Sequence, residues 1–377
     1  MGRIKVLHVI GGGEFGGAEQ HLLTLLKHTD CSQIELHVAC LFSEPLAPLV
    51  KSEGFPVVIF RMKSKIDWKP ISDMASLIKL EGFHIVHTHG VRANLIGRLA
   101  AKRAGVGHVV TTVHSVLAFD YNGLINRWIN KMCEKITRGI TERFIVVCEM
   151  LARQLKTEGI SEEKIVTIHN GLEIEKYDPA VSGAYIRQEF GIDSENILIG
   201  IIARLHPVKG HKFLLEATAK VIRKIPNLLL IMVGTGPLKL ELQETANRLG
   251  IASNIIFAGF RKDIPEIIAS LDFLVLPSLS EGLSLTVMEG MAMKKAVLAT
   301  RVGGTPEVIT SGVDGLLVPP RDVAALAEGI ENLAFNGKMA VEFGEMARKT
   351  IEGNFTAGLM ADKTAMLYVE ILEGGKL

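Results

Sequence analysis

Short apolar runs rich in valine and isoleucine recur along the chain, spaced by longer amphipathic stretches, and this alternation limits the possible folds more than any other feature. In the first half the runs are IKVLHVI, ELHVACL, PVVIF, IVHTH, HVVTTVH, FIVVC and IVTIH. Strands apolar on both faces belong to parallel sheets covered by helices on both sides. The segment from Gly171 to Asn196 breaks the rhythm with glycine, proline and charge, and reads as an interdomain connection followed by a helix. The rhythm then restarts with ILIGIIA, NLLLIMVG, NIIFAG, FLVLPS, AVLAT and GLLVPP, separated by helical stretches such as Gly210 to Lys224 and Pro237 to Leu249. From Asp322 onward apolar and charged positions alternate at helical spacing and supply no strand.

The pattern predicts an α/β protein of two doubly wound, Rossmann-like domains facing each other across a cleft. The expected boundaries are residues 1–171, residues 172–353, and a C-terminal helix within 354–377 that packs back on the first domain. Length agrees, because 377 residues at 48% hydrophobic exceed one ordinary core and suit two domains of roughly 150 to 200 residues. There is no short sequence repeat or low-complexity tract.

Charge narrows the partners. Lys and Arg number 42 against 41 Asp and Glu, a net charge of +1, so no global field draws the chain to nucleic acid and any basic site is local. Four cysteines, at 31, 40, 133 and 148, form no C-x-x-C pair, which suits reduced thiols in a cytosolic protein. No apolar run approaches the ~18 to 20 residues of a membrane span, and MGRIKVLHVI is a charged strand pattern rather than a signal peptide. The expected location is the cytoplasm, with contact at the inner face of the membrane left open.

The first strand runs into GGGEFGGAEQ, where Gly11, Gly13 and Gly16 satisfy the spacing G-x-G-x-x-G. A dinucleotide fingerprint of that kind wants an acid about 20 residues on, at the end of the second strand. That strand ends instead at Cys40, Leu41 and Phe42, with Glu44 the nearest acid beyond it. A nicotinamide-dependent oxidoreductase is therefore disfavoured.

Ligands of open α/β sheets bind beyond the carboxyl ends of the strands. In IIARLHPVKGHKF, Arg204 and Lys209 follow a strand and precede a helix, with Gly210 at the turn. A guanidinium that forks two oxygens and a compact ammonium suit a diphosphate; two solvated surface cations are the plainer reading. In LVLPSLSEGLSLTVMEGMAMKKAVLAT, Pro277 ends a strand, Ser280 to Gly282 turn, and Leu283 to Met293 read as helix. Amides of Gly282, Leu283 and Ser284 at a helix start are placed for phosphate oxygens. Glu281 and Glu289 lie too far apart to share one proton or metal, about 12 Å if both were helical, but each can accept hydroxyls from a separate group. The alternatives are a dipole-favoured acid at the helix start and a solvated helix residue. Thr235, Arg261 and Lys262 follow strands near where a nucleotide base would sit.

His87 and His89 in IVHTHG, and His114 in TVHS, also follow strands. A His-x-His pair can bind metal, but no Asp-x-Asp, His-Glu-x-x-His or further His and Asp cluster is legible to complete a shell. Histidines hydrogen-bonded near a strand end are the plainer expectation, with His114 pointing to the cleft. Residues 121–143 place Ile125, Trp128, Ile129, Met132, Ile136 and Ile140 on one helical face, with Arg127, Lys131, Lys135 and Arg138 largely opposite. Such a helix either lies on an anionic membrane surface or covers the sheet with its apolar face.

Together these residues resemble the family 4 retaining glycosyltransferases of GT-B fold, the nucleotide-sugar-dependent group 1 family. The likeness runs through GGAEQHLL, VHTHG, TVHS, IHNGLE, ARLHPVKG, VGTGP, SEGLSLTVMEGMA, VGGTPEVI and DGLLVPP. Its specific parts are Arg204 with Lys209, and the E-x7-E pair Glu281 and Glu289. The resemblance implies that Arg204 and Lys209 neutralise the diphosphate leaving group, Glu289 binds the ribose hydroxyls and Glu281 touches the transferred sugar. It also implies that amides around Gly282 and Leu283 join on the phosphates, that Gly16 and Gly17 let the first domain's backbone approach the same group, and that His114 lines the sugar and acceptor side. No metal and no cofactor are expected; the donor is a nucleotide-diphosphate sugar, UDP or GDP foremost, and the acceptor a glycan, lipid-linked or cell-envelope hydroxyl. Retention by front-face displacement, with no side-chain nucleophile, is implied as well. One departure is Lys294-Lys295 where many relatives carry Cys-Gly at the helix exit. A nucleotide-sugar epimerase of the same fold and a non-catalytic nucleotide-sugar-binding protein are the alternatives.

Overall fold

The computed structural model describes residues 3–13, 15–62, 67–115 and 124–374, with backbone alone over 124–127. The chain divides into two compact units: one runs to Gly171 and resumes at Ala357, and the other is Leu172–Thr356. The second unit reaches Thr356 rather than residue 353, because Leu172 pairs with Thr356 and its N–H donates to the Phe355 carbonyl at 2.8 Å.

The first unit is built on strands β1 (Ile4–Ile10), β2 (Ile34–Cys40), β3 (Val57–Ile59), β4 (Ile85–His89), β5 (His108–Val113), β6 (Arg143–Val146) and β7 (Ile165–Thr167). All pair in parallel, in the order β3-β2-β1-β4-β5-β6-β7. Helices α1 (Gly17–His28), α2 (Leu46–Ser52), α3 (Lys69–Glu81), α4 (Val91–Ala104), α5 (Leu124–Thr137) and α6 (Glu149–Thr157) connect them. Every residue of β4 is buried, as a central parallel strand covered on both faces requires.

The second unit has strands β8 (Ile197–Ile202), β9 (Leu228–Val233), β10 (Ile255–Gly259), β11 (Phe273–Leu276), β12 (Ala296–Thr300) and β13 (Leu316–Val318), in the parallel order β10-β9-β8-β11-β12-β13. Its helices are α7 (Ala184–Glu189), α8 (His211–Val221), α9 (Lys239–Arg248), α10 (Ile264–Ser270), α11 (Leu285–Ala292), α12 (Thr305–Val308), α13 (Val323–Phe335) and α14 (Gly337–Asn354). Helix α15 (Ala357–Leu372) belongs to the first unit, where Met360, Ala361, Leu367, Tyr368 and Ile371 join the buried cluster of Val6, Ile10, Leu22 and Leu26.

In each sheet the strand order reverses once, between β1 and β4 and between β8 and β11. Crevices open at such points beyond the carboxyl ends of the strands. The loops that follow these four strands therefore carry the functional candidates.

Of the opening glycines, Gly13 lies tightly against the loop after β2. The Phe42 N–H donates to the Gly11 carbonyl at 3.1 Å, and a Cβ on Gly13 would come within 2.9 Å of the Phe42 ring. The loop after β2 thus lies against Gly13, one of the three positions of the fingerprint spacing. Gly16 caps α1, and its N–H is taken by the Glu19 carboxylate at 3.1 Å. That amide is committed within the helix start, whereas a Cβ on Gly17 would meet nothing within 4 Å.

Helix α5 departs from the expectation that it covers the sheet with its apolar face. Its packed side is polar: Glu134 accepts from Asn94 Nδ2 at 2.6 Å and from Arg98 Nη1 at 2.7 Å, and Arg98 is fully buried. Trp128, Ile129, Met132 and Ile136 face outward, with Trp128 65% and Ile136 72% exposed. Ile140 lies past the helix against the core, so it leaves the expected stripe. Residues 121–123, and the side chains of Ile125 and Arg127, lie outside the described residues. Removing the partner of a buried charge costs about 3–5 kcal/mol. Glu134→Ala is accordingly expected to lower stability by that order in urea unfolding, and a loss below about 1 kcal/mol would contradict the pairing.

Candidate active site

The second unit's site is assembled by the loops after β8, β9, β11 and β12. Leu205 N–H donates to Thr235 O at 2.9 Å, Leu279 N–H to Val208 O at 2.7 Å, and Gly304 N–H to Gly282 O at 2.7 Å. Gly210 holds a left-handed conformation, φ 71°, and a Cβ there would run into the Pro277 carbonyl oxygen. Glycine is thus required for the β8 loop to lie against the end of β11. On this frame Lys209 Nζ meets Glu281 Oε1 at 2.6 Å. Two residues 72 positions apart that sequence reasoning assigned to one donor site are therefore in direct contact.

Arg204 is exposed on the same loop. His206 lies between the two cations, and burial, then the charges of Arg204 and Lys209, hold its imidazole below the ordinary value. Arg204 and Lys209 thus stand close enough to His206 for their charges to disfavour its protonated form.

Helix α11 begins at Leu285, two residues later than expected, because Ser284 is its cap and its Oγ accepts the Val287 N–H at 3.4 Å. Gly282, Leu283 and Ser284 consequently form the turn leading into the helix, and the Thr286 hydroxyl ties that turn to the end of β8 through the Ile202 carbonyl at 3.2 Å. Glu289 sits on α11, where Tyr177 OH donates to its Oε1 at 2.8 Å. Burial pushes the Glu289 carboxyl up, and the Tyr177 bond pulls it the other way. Tyr177 itself is raised, by burial first and by Glu289 second. Arg348 on α14 donates to the Tyr177 carbonyl at 2.7 Å and the Ala292 carbonyl at 2.8 Å, fixing both supports of that carboxylate. Lys294 at the helix exit has φ 55° and pairs with Glu345 at 2.8 Å, so the departure from the family pattern falls on a left-handed position.

Arg261 requires a correction. Its guanidinium contacts Glu189 at 2.6 and 2.9 Å and Asp263 at 2.6 and 2.9 Å, so it joins α7 to the loop after β10. These bonds hold the Asp263 carboxyl down to about 2. With both faces of its fork on acids, it is not placed as a donor-binding cation. Lys262 beside it is exposed, and Thr235 is exposed next to the Arg204 loop.

In the first unit, the histidines after β4 and β5 have hydrogen-bonding partners near the strand ends, and two further histidines that were not singled out in the sequence join them. His8 on β1 stands in register with His87 on β4, and His21 on α1 and His114 after β5 complete a cluster of five. His8 Nδ1 lies 3.0 Å from His89 Nε2, and His89 Nδ1 lies 3.2 Å from His114 Nε2. His87 spans Tyr368 OH at 2.6 Å and Thr112 Oγ1 at 2.7 Å, and His21 Nδ1 lies 2.9 Å from Asn170 Oδ1. Burial pushes His8 down to about 3 and His21 to about 4, and drives His87, His89 and His114 well down too. Burial thus favours the neutral form of all five imidazoles. Sequence reasoning missed His8, His21 and Tyr177 because strand register and helix packing, rather than spacing along the chain, bring them to their sites.

Two family models match in tandem, Glycosyltransferase Family 4 over residues 15–176 and Glycosyl transferases group 1 over residues 184–350. The chain is 25% identical, over 98% of both lengths, to UDP-Gal:alpha-D-GlcNAc-diphosphoundecaprenol alpha-1,3-galactosyltransferase of Escherichia coli. It is 30% identical to EpsD of Bacillus subtilis (strain 168), over 71% of this chain and 72% of that one. Among solved structures, a glycosyltransferase from Rickettsia africae ESF-5 matches with TM-score 0.85 at 24% identity, over 99% of this chain and 100% of that chain. HepE of Anabaena in complex with UDP-glucose matches with TM-score 0.85 at 22% identity, over 97% and 99%. The two Rossmann-like units are those of a GT-B glycosyltransferase. The chain belongs to the family 4, group 1 glycosyltransferases and is a glycosyltransferase; the epimerase and binding-only readings find no support.

Proposed function

We propose that the protein transfers a sugar from a UDP-sugar to a hydroxyl of a lipid-linked or cell-envelope glycan acceptor, with retention of anomeric configuration and without a metal ion. The observation that carries this is the contact of Lys209 with Glu281 beside Arg204, on loops at the switch point of the second sheet. In this reading Arg204 and Lys209 stabilise the departing diphosphate, joined by the amides of Gly282, Leu283 and Ser284. Fixed cations and amides supply the charge stabilisation that a divalent ion supplies elsewhere. Glu281, already holding the Lys209 ammonium, touches the transferred sugar; Glu289 accepts the ribose hydroxyls, with Tyr177 orienting it. The departing phosphate takes the acceptor's proton as the new glycosidic bond forms, so no side-chain nucleophile is used. Thr235 and Lys262 lie on the base side, and His114 serves the acceptor.

UDP as the donor nucleotide is supported by the Escherichia coli relative's name and by the UDP-glucose complex of HepE. A lipid-linked acceptor is supported by the same relative, whose name specifies a diphosphoundecaprenol substrate. The test is nucleotide release and product identification with a panel of UDP-, GDP- and ADP-sugars and a lipid diphosphate sugar. Turnover with UDP-sugar fits, and turnover with none of them overturns the reading.

Gly17 is assigned to the donor as well. Its Ala variant meets no steric obstacle and is expected to fold normally while raising the donor KM at least about fivefold, an effect of about 1 kcal/mol. An unchanged KM would remove Gly17 from the site.

No helix among the described residues is long and apolar enough to cross a membrane. The outward apolar face of α5, with Lys131 and Lys135 exposed beside it, supports peripheral contact with an anionic bilayer. Flotation with anionic liposomes is expected to carry the protein, and Trp128→Ala with Ile136→Ala to release it. Equal flotation of the double variant would contradict that assignment.

A further inference from the structure

Building on the acceptor-side role of His114, we propose that Tyr368 fixes the tautomer of this residue through a chain of buried histidines, so that His114 Nδ1 receives a hydrogen bond from a hydroxyl of the glycan acceptor. The chain is continuous. Thr112 Oγ1 lies 2.7 Å from His87 Nε2, and His87 Nδ1 lies 2.6 Å from Tyr368 OH. Tyr368 OH lies 3.4 Å from His8 Nε2, His8 Nδ1 3.0 Å from His89 Nε2, and His89 Nδ1 3.2 Å from His114 Nε2. Burial favours the neutral form of each ring, and a neutral imidazole has one N–H and one lone pair. A ring that donates on one side therefore accepts on the other, and the direction taken at one contact fixes all the rest.

Tyr368 sets that direction. Its hydroxyl has one proton and two histidine nitrogens beside it. The 2.6 Å contact with His87 Nδ1 has the length of a bond donated by O–H, whereas 3.4 Å to His8 Nε2 is long for one. The hydroxyl proton thus goes to His87, and the phenol oxygen is left to accept from His8 Nε2. His8 then accepts at Nδ1 from His89 Nε2, and His89 accepts at Nδ1 from His114 Nε2. With its proton committed to His89, His114 keeps a lone pair on Nδ1. That nitrogen is buried and has no partner, and a buried acceptor left unpaired is costly. His21, whose ring centroid lies 4.8 Å from that of His114, does not fill the gap. The Asn170 amide oxygen holds its proton on Nδ1 at 2.9 Å, so the nitrogen left over is itself an acceptor. The group that satisfies His114 is accordingly a donating hydroxyl, not a carbonyl, ether or phosphate oxygen.

Nitrogen NMR of the full chain, labelled in its histidine rings, reads the tautomer without any substrate, because protonated and unprotonated ring nitrogens resonate far apart. The signals lost in His114→Gln assign the residue. The wild type is expected to show His114 protonated on Nε2 and bare on Nδ1. Tyr368→Phe keeps the ring in the core and removes the hydroxyl that orders the chain, so the Nδ1 signal is expected to move toward the protonated range. In transfer assays the same variant is expected to raise the KM for the glycan acceptor about fivefold, the worth of one hydrogen bond, while the donor KM stays the same. A protonated Nδ1 in the wild type, or a signal that does not move in folded Tyr368→Phe, overturns the tautomer assignment. A signal that moves with no change in acceptor KM overturns the bond to the hydroxyl. The spectra need no turnover, so failure of the transfer reaction itself is told apart from failure of the tautomer.

Discussion

Lys209→Ala is expected to reduce sugar transfer by about 10³-fold while the chain remains folded, since deleting one group that stabilises developing charge in a closed site costs about 10²–10³ in rate. Two effects combine at this residue. The leaving diphosphate loses the ammonium, and Glu281, whose side chain is only 9% exposed, loses its partner and is left as a recessed carboxylate beside an anion. Glu281→Ala removes that carboxylate and is expected to fail at the sugar instead, with kcat falling more than donor affinity. Lys209→Arg keeps the charge but not the compact geometry, so partial recovery is the expected result. Full activity of both alanine variants with an identified donor and acceptor would remove this pair from the mechanism.

Acid is expected to unfold the first unit well before it protonates ordinary carboxylates. The sign follows from burial: each cluster histidine has its folded pKa pushed below the unfolded value near 6.5, so the unfolded chain binds protons that the fold refuses. Stability is complete above pH 6.5 and falls as pH drops through the window from 6.5 toward about 3 to 4, where His8 and His21 titrate in the fold. His8 and His21 each cost about 1 kcal/mol between pH 6.5 and 5.5, and His87, His89 and His114 act in the same direction. Hydrogen exchange of β4 and β5, read across this range, checks it. Protection that stays level from pH 7 to 5 would contradict a wholly neutral cluster.

All the strands among the described residues, and the two-unit division, were legible because Val- and Ile-rich runs buried on both faces leave a signal that local reading detects. Arg204, Lys209, Glu281 and Glu289 were legible as candidates because the rule that ligands gather at strand carboxyl ends converts sequence position into site position. The contact of Lys209 with Glu281 was not, because it depends on Gly210 fitting against Pro277 across two loops. Helix α5 inverted its expected orientation for a related reason. Its amphipathic pattern is real, but buried Arg98 on α4 requires a carboxylate and draws Glu134, rather than the apolar stripe, onto the unit. Arg261 pairs with Asp263 two residues on, and with Glu189 on α7, a tertiary contact that local reading does not detect.

The most direct measurement is thermal unfolding of the wild-type chain with UDP-, GDP- and ADP-sugars and with NAD, repeated for Lys209→Ala. A ligand at 100 times its Kd adds about 2.7 kcal/mol to stability. A UDP-sugar is expected to raise the melting temperature of the wild type by several degrees, NAD is expected to leave it unchanged, and Lys209→Ala is expected to lose the shift. Stabilisation by NAD alone, or a UDP-sugar shift undiminished in Lys209→Ala, would contradict these expectations.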